Sequence, residues 1–369
     1  MSDQKKHIAV YDIIRILAAL LVVLGHSTYL TITTDHGGID YAVPQNVSDT
    51  YNSGFLKTWF YLSAWVYRFH ISLFFMLAGS VFALNPIQNF QLLLIKKARR
   101  LLIPFFLTGL FFMIPLKLWG GFFDPLRLSE IIVAFLTGHE SGHLWFLTSL
   151  FWCFVVFFVL QKLLKKGVFV CLAAFLFYLF GSRLAQGYFD FSFSMQFLFF
   201  FTAGYYFDRV RPFFEKHPGI TFFLLPCLLI LNIADTQKHF LPAVGFMAAG
   251  CALFYNAAFC LALIFKKTPQ TSFFRKTADR TMGVYLFHDP LMIVVLYYCM
   301  QAGLLTTPAG CWIYFFCRTI GVVLLSVLID IVVERSFNRV KSIINHRRAG
   351  FQRNESRNCR GNQKNSIRL

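Results

Sequence analysis

Apolar runs of about twenty residues recur from one end of this chain to the other. Each is long enough to cross a hydrocarbon layer of ~30 Å. In lipid every backbone N–H and C=O must find a partner inside the protein, so runs of this length can only be helices. Ten are read, near 8–30, 58–84, 101–118, 143–161, 167–184, 191–208, 218–235, 239–265, 281–303 and 308–334. Only 14% of residues are charged, against about 25% in soluble domains. The fold class expected is therefore an all-α integral membrane protein of about ten transmembrane helices.

Lys and Arg set the orientation, because they accumulate on the cytoplasmic side of a bilayer. With the N-terminus inside, the cytoplasmic segments hold 28 of the 35 Lys and Arg residues. The seven left over are Lys57, Arg68, Lys117, Arg127, Arg183, Lys238 and Arg318. Both termini are expected to be cytoplasmic. Residues 1–334 read as one polytopic membrane domain, and 335–369 as a basic, disordered cytoplasmic tail. That tail has ten Lys or Arg and one acid, Glu355, half of the net charge of +18. A polybasic segment beside so many spans is expected to lie on anionic lipid and not on nucleic acid. The first apolar run is too long for a secretory leader and no A-x-A site follows it, so it is expected to remain as a helix. The nine cysteines include no C-x-x-C pair and read as small buried hydrophobes.

The stretch "DIIRILAALLVVLGHS", residues 12–27, carries two ionisable groups that a spanning helix rarely tolerates. Arg15 and His26 are eleven residues apart, which is three turns plus about 20°, so they share one helix face at a separation of roughly 16 Å. Asp12, three residues before Arg15, is placed to pair with it. Taken singly, Arg15 is also an ordinary cytoplasmic anchor and His26 an interfacial residue. On one face, framing an apolar stretch, they read instead as the two ends of a polar path.

These residues also resemble a known family. The D-x-x-R, the aliphatic stretch and the G-H that closes an Arg-x10-His spacing are similar to the first helix of the membrane-bound acyltransferase-3 family, multi-span enzymes that acylate sugars and other acceptors. Four further blocks follow in the family's order. "FHISLFFMLAGSVFA" (69–83) resembles the second-helix block, and its Ala78, Gly79 and Ser80 would let another helix backbone approach closely. "KKARRLLIP" (96–104) resembles the basic loop before the third span, with Lys97-x-x-Arg100 where the family usually has R-x-x-R. "GHLWFLTSLF" (142–151) and "VYLFHDPLM" (284–292) resemble the fourth and ninth spans.

The resemblance implies an O-acyltransferase that moves an acyl group, acetyl above all, from cytoplasmic acyl-CoA to a hydroxyl of a cell-envelope saccharide or lipid-linked saccharide. It implies a bacterial cytoplasmic membrane, no tightly bound cofactor, and a catalytic role for His26, with Arg15 facing the donor. Imidazole titrates near working pH and suits the removal of a hydroxyl proton. Arg68 and His70 read either as a second wall of the same cavity or, for His70, as a histidine bonded to a neighbouring helix. His143 and Trp145 read as a platform for a sugar or, for Trp145, as part of the interfacial aromatic belt. Lys96, Lys97, Arg99 and Arg100 are natural counter-charges for the phosphates of coenzyme A, and the positive-inside rule explains them equally. His288, assigned to the cytoplasmic half of its span and followed by Asp289 and Pro290, is either a donor contact or a polar kink. "HESGH" (139–143) lacks the His-Glu-x-x-His spacing, and no metal site is expected. The competing function is a transporter or exporter of an envelope precursor, but transporters tend to show paired repeats, and no such pairing is present.

Overall fold

The computed structural model describes residues 8–41, 54–183, 188–265, 271–339 and 342. Its helices are α1 (Ala9–Ser27), α2 (Gly54–Tyr67), α3 (His70–Leu84), α4 (Phe90–Trp119), α5 (Leu128–Thr137), α6 (Trp145–Leu164), α7 (Gly167–Phe180), α8 (Phe191–Phe207), α9 (Arg211–Lys216), α10 (Pro218–Lys238), α11 (Ala243–Phe265), α12 (Thr271–Gln301) and α13 (Pro308–Arg339). After α1 comes a hairpin, β1 (Thr31–Thr34) paired antiparallel with β2 (Gly37–Asp40), Thr31 opposite Asp40.

Among the described residues, seven helical segments are long and apolar enough to cross a membrane, and Lys57–Tyr67 with His70–Leu84 make an eighth if that pair, bent by 43°, is one span. The chain is thus a multi-pass membrane protein of the all-α class, the hairpin apart, but the ten expected spans are not reached on length. α7 has 14 residues and α8 has 17, which at 1.5 Å per residue gives roughly 21 and 26 Å, short of the hydrocarbon thickness. α13 runs to Arg339, so the first five residues of the expected tail are helical. Apart from Ser342, the rest of that tail lies outside the described residues.

Small residues set the closest helix crossing. A Cβ at Gly79 of α3 would overlap the Phe201 carbonyl oxygen, and one at Gly204 of α8 would overlap that of Met76. Ser80 Oγ donates to the Gly204 carbonyl at 2.9 Å, so the two backbones are tied as well as touching. Phenylalanines fill the space beside this crossing, with Phe75 stacked on Phe197 and Phe82 edge-on to Phe154. A second cluster packs Val10, Ile14 and Ala18 of α1 against Leu73 and Leu77 of α3 and Tyr255 and Phe259 of α11. A third joins Val23 to Val284, Phe287 and Leu291 of α12 and Val322 of α13. The outward faces stay apolar, with Phe111, Val168, Phe223 and Leu324 exposed, as a lipid-facing surface requires.

π-Turns interrupt the spans at Ala98–Leu102 and Gly109–Met113 in α4 and at Cys317–Gly321 in α13. Such turns insert an extra residue and often sit near functional groups. The one in α13 carries Arg318, whose side chain is wholly buried.

Candidate active site

α1 packs between α11, α12 and α3, which places the His26 end of its polar face inside the bundle. The last turn of α1 is fastened from α2. Ser63 Oγ donates to the Gly25 carbonyl at 3.0 Å, and Trp59 Nε1 donates to Ser27 Oγ at 3.2 Å. Gly25 has no room for a side chain because the Tyr67 ring lies where its Cβ would be. That closeness brings the Tyr67 hydroxyl to 3.4 Å from His26 Nε2.

On the opposite side of the imidazole lies Asp289 of α12, buried among cationic and imidazole partners. Its Oδ1 is 3.5 Å from His26 Nδ1, while its Oδ2 is 3.5 Å from Lys117 Nζ and 3.2 Å from His143 Nδ1. The His143 contact lacks hydrogen-bond alignment. His143 Nε2 is 3.0 Å from the Leu286 carbonyl, and Tyr285 Oη donates to the His143 carbonyl at 2.6 Å. Lys117 is itself buried, with its ammonium 4.4 Å from the centre of the Phe122 ring. A buried carboxylate is tolerated when opposite charges face it this closely. His288 completes the group. Its ring is edge-on to His26 at 5.1 Å and to His143 at 5.4 Å. Its Nδ1 is 2.8 Å from the Tyr285 carbonyl, which makes Nδ1 the donor and leaves Nε2, buried and without a partner, as the acceptor nitrogen.

A narrow cavity of about 30 Å³ opens beside His26, His143 and His288, walled by Val22, Phe74, Trp145, Phe146 and Tyr285. A cavity of that size holds about one or two water molecules. Ile71 borders it and also borders a second cavity of about 400 Å³, which Tyr67, Arg68, Tyr178, Gln196 and Phe197 help to line.

The residues singled out from sequence thus divide. His26, His143, His288 and Trp145 meet at one place. His288 lies against His26, roughly 25 Å along α12 from its start at Thr271. Trp145 faces the narrow cavity, with its ring on Phe193 and Phe197. His70 is fully buried behind Tyr67, its Nδ1 3.1 Å from the Val66 carbonyl, and is not among the residues walling either cavity. Arg68 pairs with Asp235 at 2.9 Å.

Arg15 stands at the other end of α1, 4.0 Å from Asp12 and within electrostatic reach of Arg100 and Asp279. Arg99 and Arg100 are exposed, whereas the Lys97 ammonium turns inward onto the Phe154 ring at 3.4 Å. Of the other acids, Glu140 sits 3.4 Å from His36, and Asp40, fourteen positions after His26, accepts from Thr31 Oγ1 at 2.7 Å. Neither serves His26.

Sequence reasoning missed Lys117, Tyr67 and Tyr285, and did not give Asp289 a role. Two of these were signalled. Asp289 is an acid within an apolar run, and Lys117 is one of the seven cations that break the charge rule. Arg318 is another of those seven. Its Nη1 donates to the Tyr29 carbonyl and the Tyr314 hydroxyl, while Nε and Nη2 have no partner. The Tyr29 ring in turn lies 5.7 Å from that of His26.

Against known proteins, the family model described as an acyltransferase domain (acyltransferase-3) matches residues 8–331. No curated protein and no solved structure matches the chain.

Proposed function

The chain belongs to the acyltransferase-3 family, and from that premise we propose that it moves an acetyl group from cytoplasmic acetyl-CoA to a hydroxyl of a cell-envelope saccharide across a bacterial cytoplasmic membrane. One observation carries the reading. His26 has a buried carboxylate at Nδ1 and a cavity beside its ring, on the same helix face as Arg15 and roughly 16 Å from it.

Asp289 favours the tautomer that carries hydrogen on Nδ1, so Nε2 is left as the base. The acceptor hydroxyl gives its proton to Nε2 as its oxygen attacks the thioester carbonyl. A C–O bond forms, the C–S bond breaks, and the departing thiolate takes the proton back from Nε2. The products are the O-acyl ester and free coenzyme A. While the imidazolium exists, Asp289 balances its charge, as a buried carboxylate does in hydrolase triads. Lys117, 3.5 Å from Asp289 Oδ2, supplies the carboxylate with a counter-charge. The narrow cavity beside His26, with Val22 and Phe74 among its walls, would receive the acetyl end of the donor. Arg15, with the exposed Arg99 and Arg100 nearby in sequence to the inward-turned Lys97, would hold the coenzyme A phosphates at the other end.

The test is acetyl transfer in inverted membrane vesicles with radiolabelled acetyl-CoA, comparing wild type with His26→Ala at equal expression. Label should reach envelope glycan only with His26 present. Equal labelling by the two would remove His26 from the chemistry.

A further inference from the structure

The cavity of about 400 Å³ lies next to the narrow one, with Ile71 as shared wall and Tyr67 between it and His26. Its volume falls in the range of small-molecule sites, roughly 300–1,000 Å³. We infer that it is the acceptor site and that it takes a neutral glycosyl unit, an inference that rests on the acyl-transfer reading above.

The polar groups decide between ligand classes. Arg68 lines the cavity, but its charge is already met: Nη2 is 2.9 Å from Asp235 Oδ2, and the guanidinium lies 3.5 Å from the centre of the Phe246 ring. Asp235 is fully buried. A phosphate or carboxylate entering here would meet that acid as well as the arginine, and among the described residues no other Lys or Arg lines the cavity. Gln196 adds an amide that can both donate and accept towards a polyol. Tyr178, Phe197 and Phe200 contribute aromatic rings, on which the C–H face of a sugar ring can pack.

The same geometry supplies the route to chemistry. The Tyr67 hydroxyl touches His26 Nε2 at the long distance of 3.4 Å while its ring lines the chamber. A sugar hydroxyl projecting past Tyr67 takes over that contact and presents its proton to Nε2.

The experiment uses the full-length protein in lipid nanodiscs and saturation-transfer NMR with two probes, methyl glucoside and its phosphorylated counterpart. The wild type should bind methyl glucoside in preference to the phosphate. Gln196→Ala should weaken that binding about tenfold, the value of one hydrogen bond, and Gln196→Asn should restore part of it. In transfer assays the acceptor KM should rise with the donor KM unchanged. No binding of the neutral probe, tighter binding of the phosphate, or equal binding by Gln196→Ala would each overturn the assignment. Acetyl-CoA consumption is followed in the same samples. Sugar binding without thioester cleavage would sink the transferase reading and leave the chamber; cleavage with unaltered binding in the variant would do the reverse.

Discussion

Replacing Asp289 by Asn keeps the shape of the side chain and removes its charge, and the surroundings allow the consequences to be separated. Lys117 Nζ stands 3.5 Å from Oδ2 and its side chain is 3% exposed, so it loses its counter-charge without gaining water. At an effective dielectric of about 20 that pair is worth about 5 kcal/mol. This agrees with the roughly 3–5 kcal/mol lost when one partner of a buried pair is removed. The single variant should therefore melt well below the wild type in detergent. It should also lose catalysis, because His26 Nδ1 no longer faces an anion, and a fall of about 10²–10⁴ in turnover is expected when a histidine loses its orienting carboxylate. The second change, Lys117→Met, distinguishes the effects. In Asp289→Asn/Lys117→Met the stranded ammonium is gone, so the melting temperature should recover while turnover stays low. If turnover returned with stability, Asp289 would be only a counter-ion to Lys117. Near-wild-type transfer by Asp289→Asn alone would refute the mechanism outright.

Two further outcomes follow from the packing and the basic loop. Gly204→Leu should destabilise the protein by at least about 3 kcal/mol, through forced separation of α3 and α8, measured as a lower melting temperature; Ser80→Ala at the same crossing should cost only about 1 kcal/mol. Wild-type melting of Gly204→Leu would mean the helices do not touch there. At the donor end, Arg100→Ala should raise the KM for acetyl-CoA while Lys97→Met leaves it nearly unchanged, since Lys97 rests on Phe154 and Phe82. The opposite ranking would place the phosphates against Lys97.

The parts of this structure that could be read in advance are those set by neighbours along the chain. Apolar length announced the spans, and eleven-residue spacing put Arg15 and His26 on one face. The Ala78-Gly79-Ser80 block announced a close helix contact, though not that Gly204 would provide the other half. Asp289 could not be paired with His26 from sequence because 263 positions separate them, and only the packing of α1 on α12 closes that distance. That His288 meets His26 is likewise a matter of packing, with α12 already ten residues long before position 281. The leftover cations were the better guide. Lys117, Arg68 and Arg318, each set aside as exceptions to the charge rule, are held respectively by Asp289, by Asp235 and by the Tyr29 carbonyl.

The π-turn at Cys317–Gly321 makes α13 a shaft with two phases. Before Val322 it is timed to Tyr29 through Arg318; from Val322 on, to α1 and α12, where Val322 packs with Val23 and Phe287 and Arg280 binds Asp330 at 2.8 Å. The extra residue of the turn is the offset between the two settings. Removing one residue there would let the helix close into a single α-register and rotate one half against the other by about 100°. Arg318 and Asp330 could not then both keep their partners. Since Tyr29 ends the segment that carries His26, a one-residue deletion in the last span would reach the reaction centre while leaving every side chain there in the sequence.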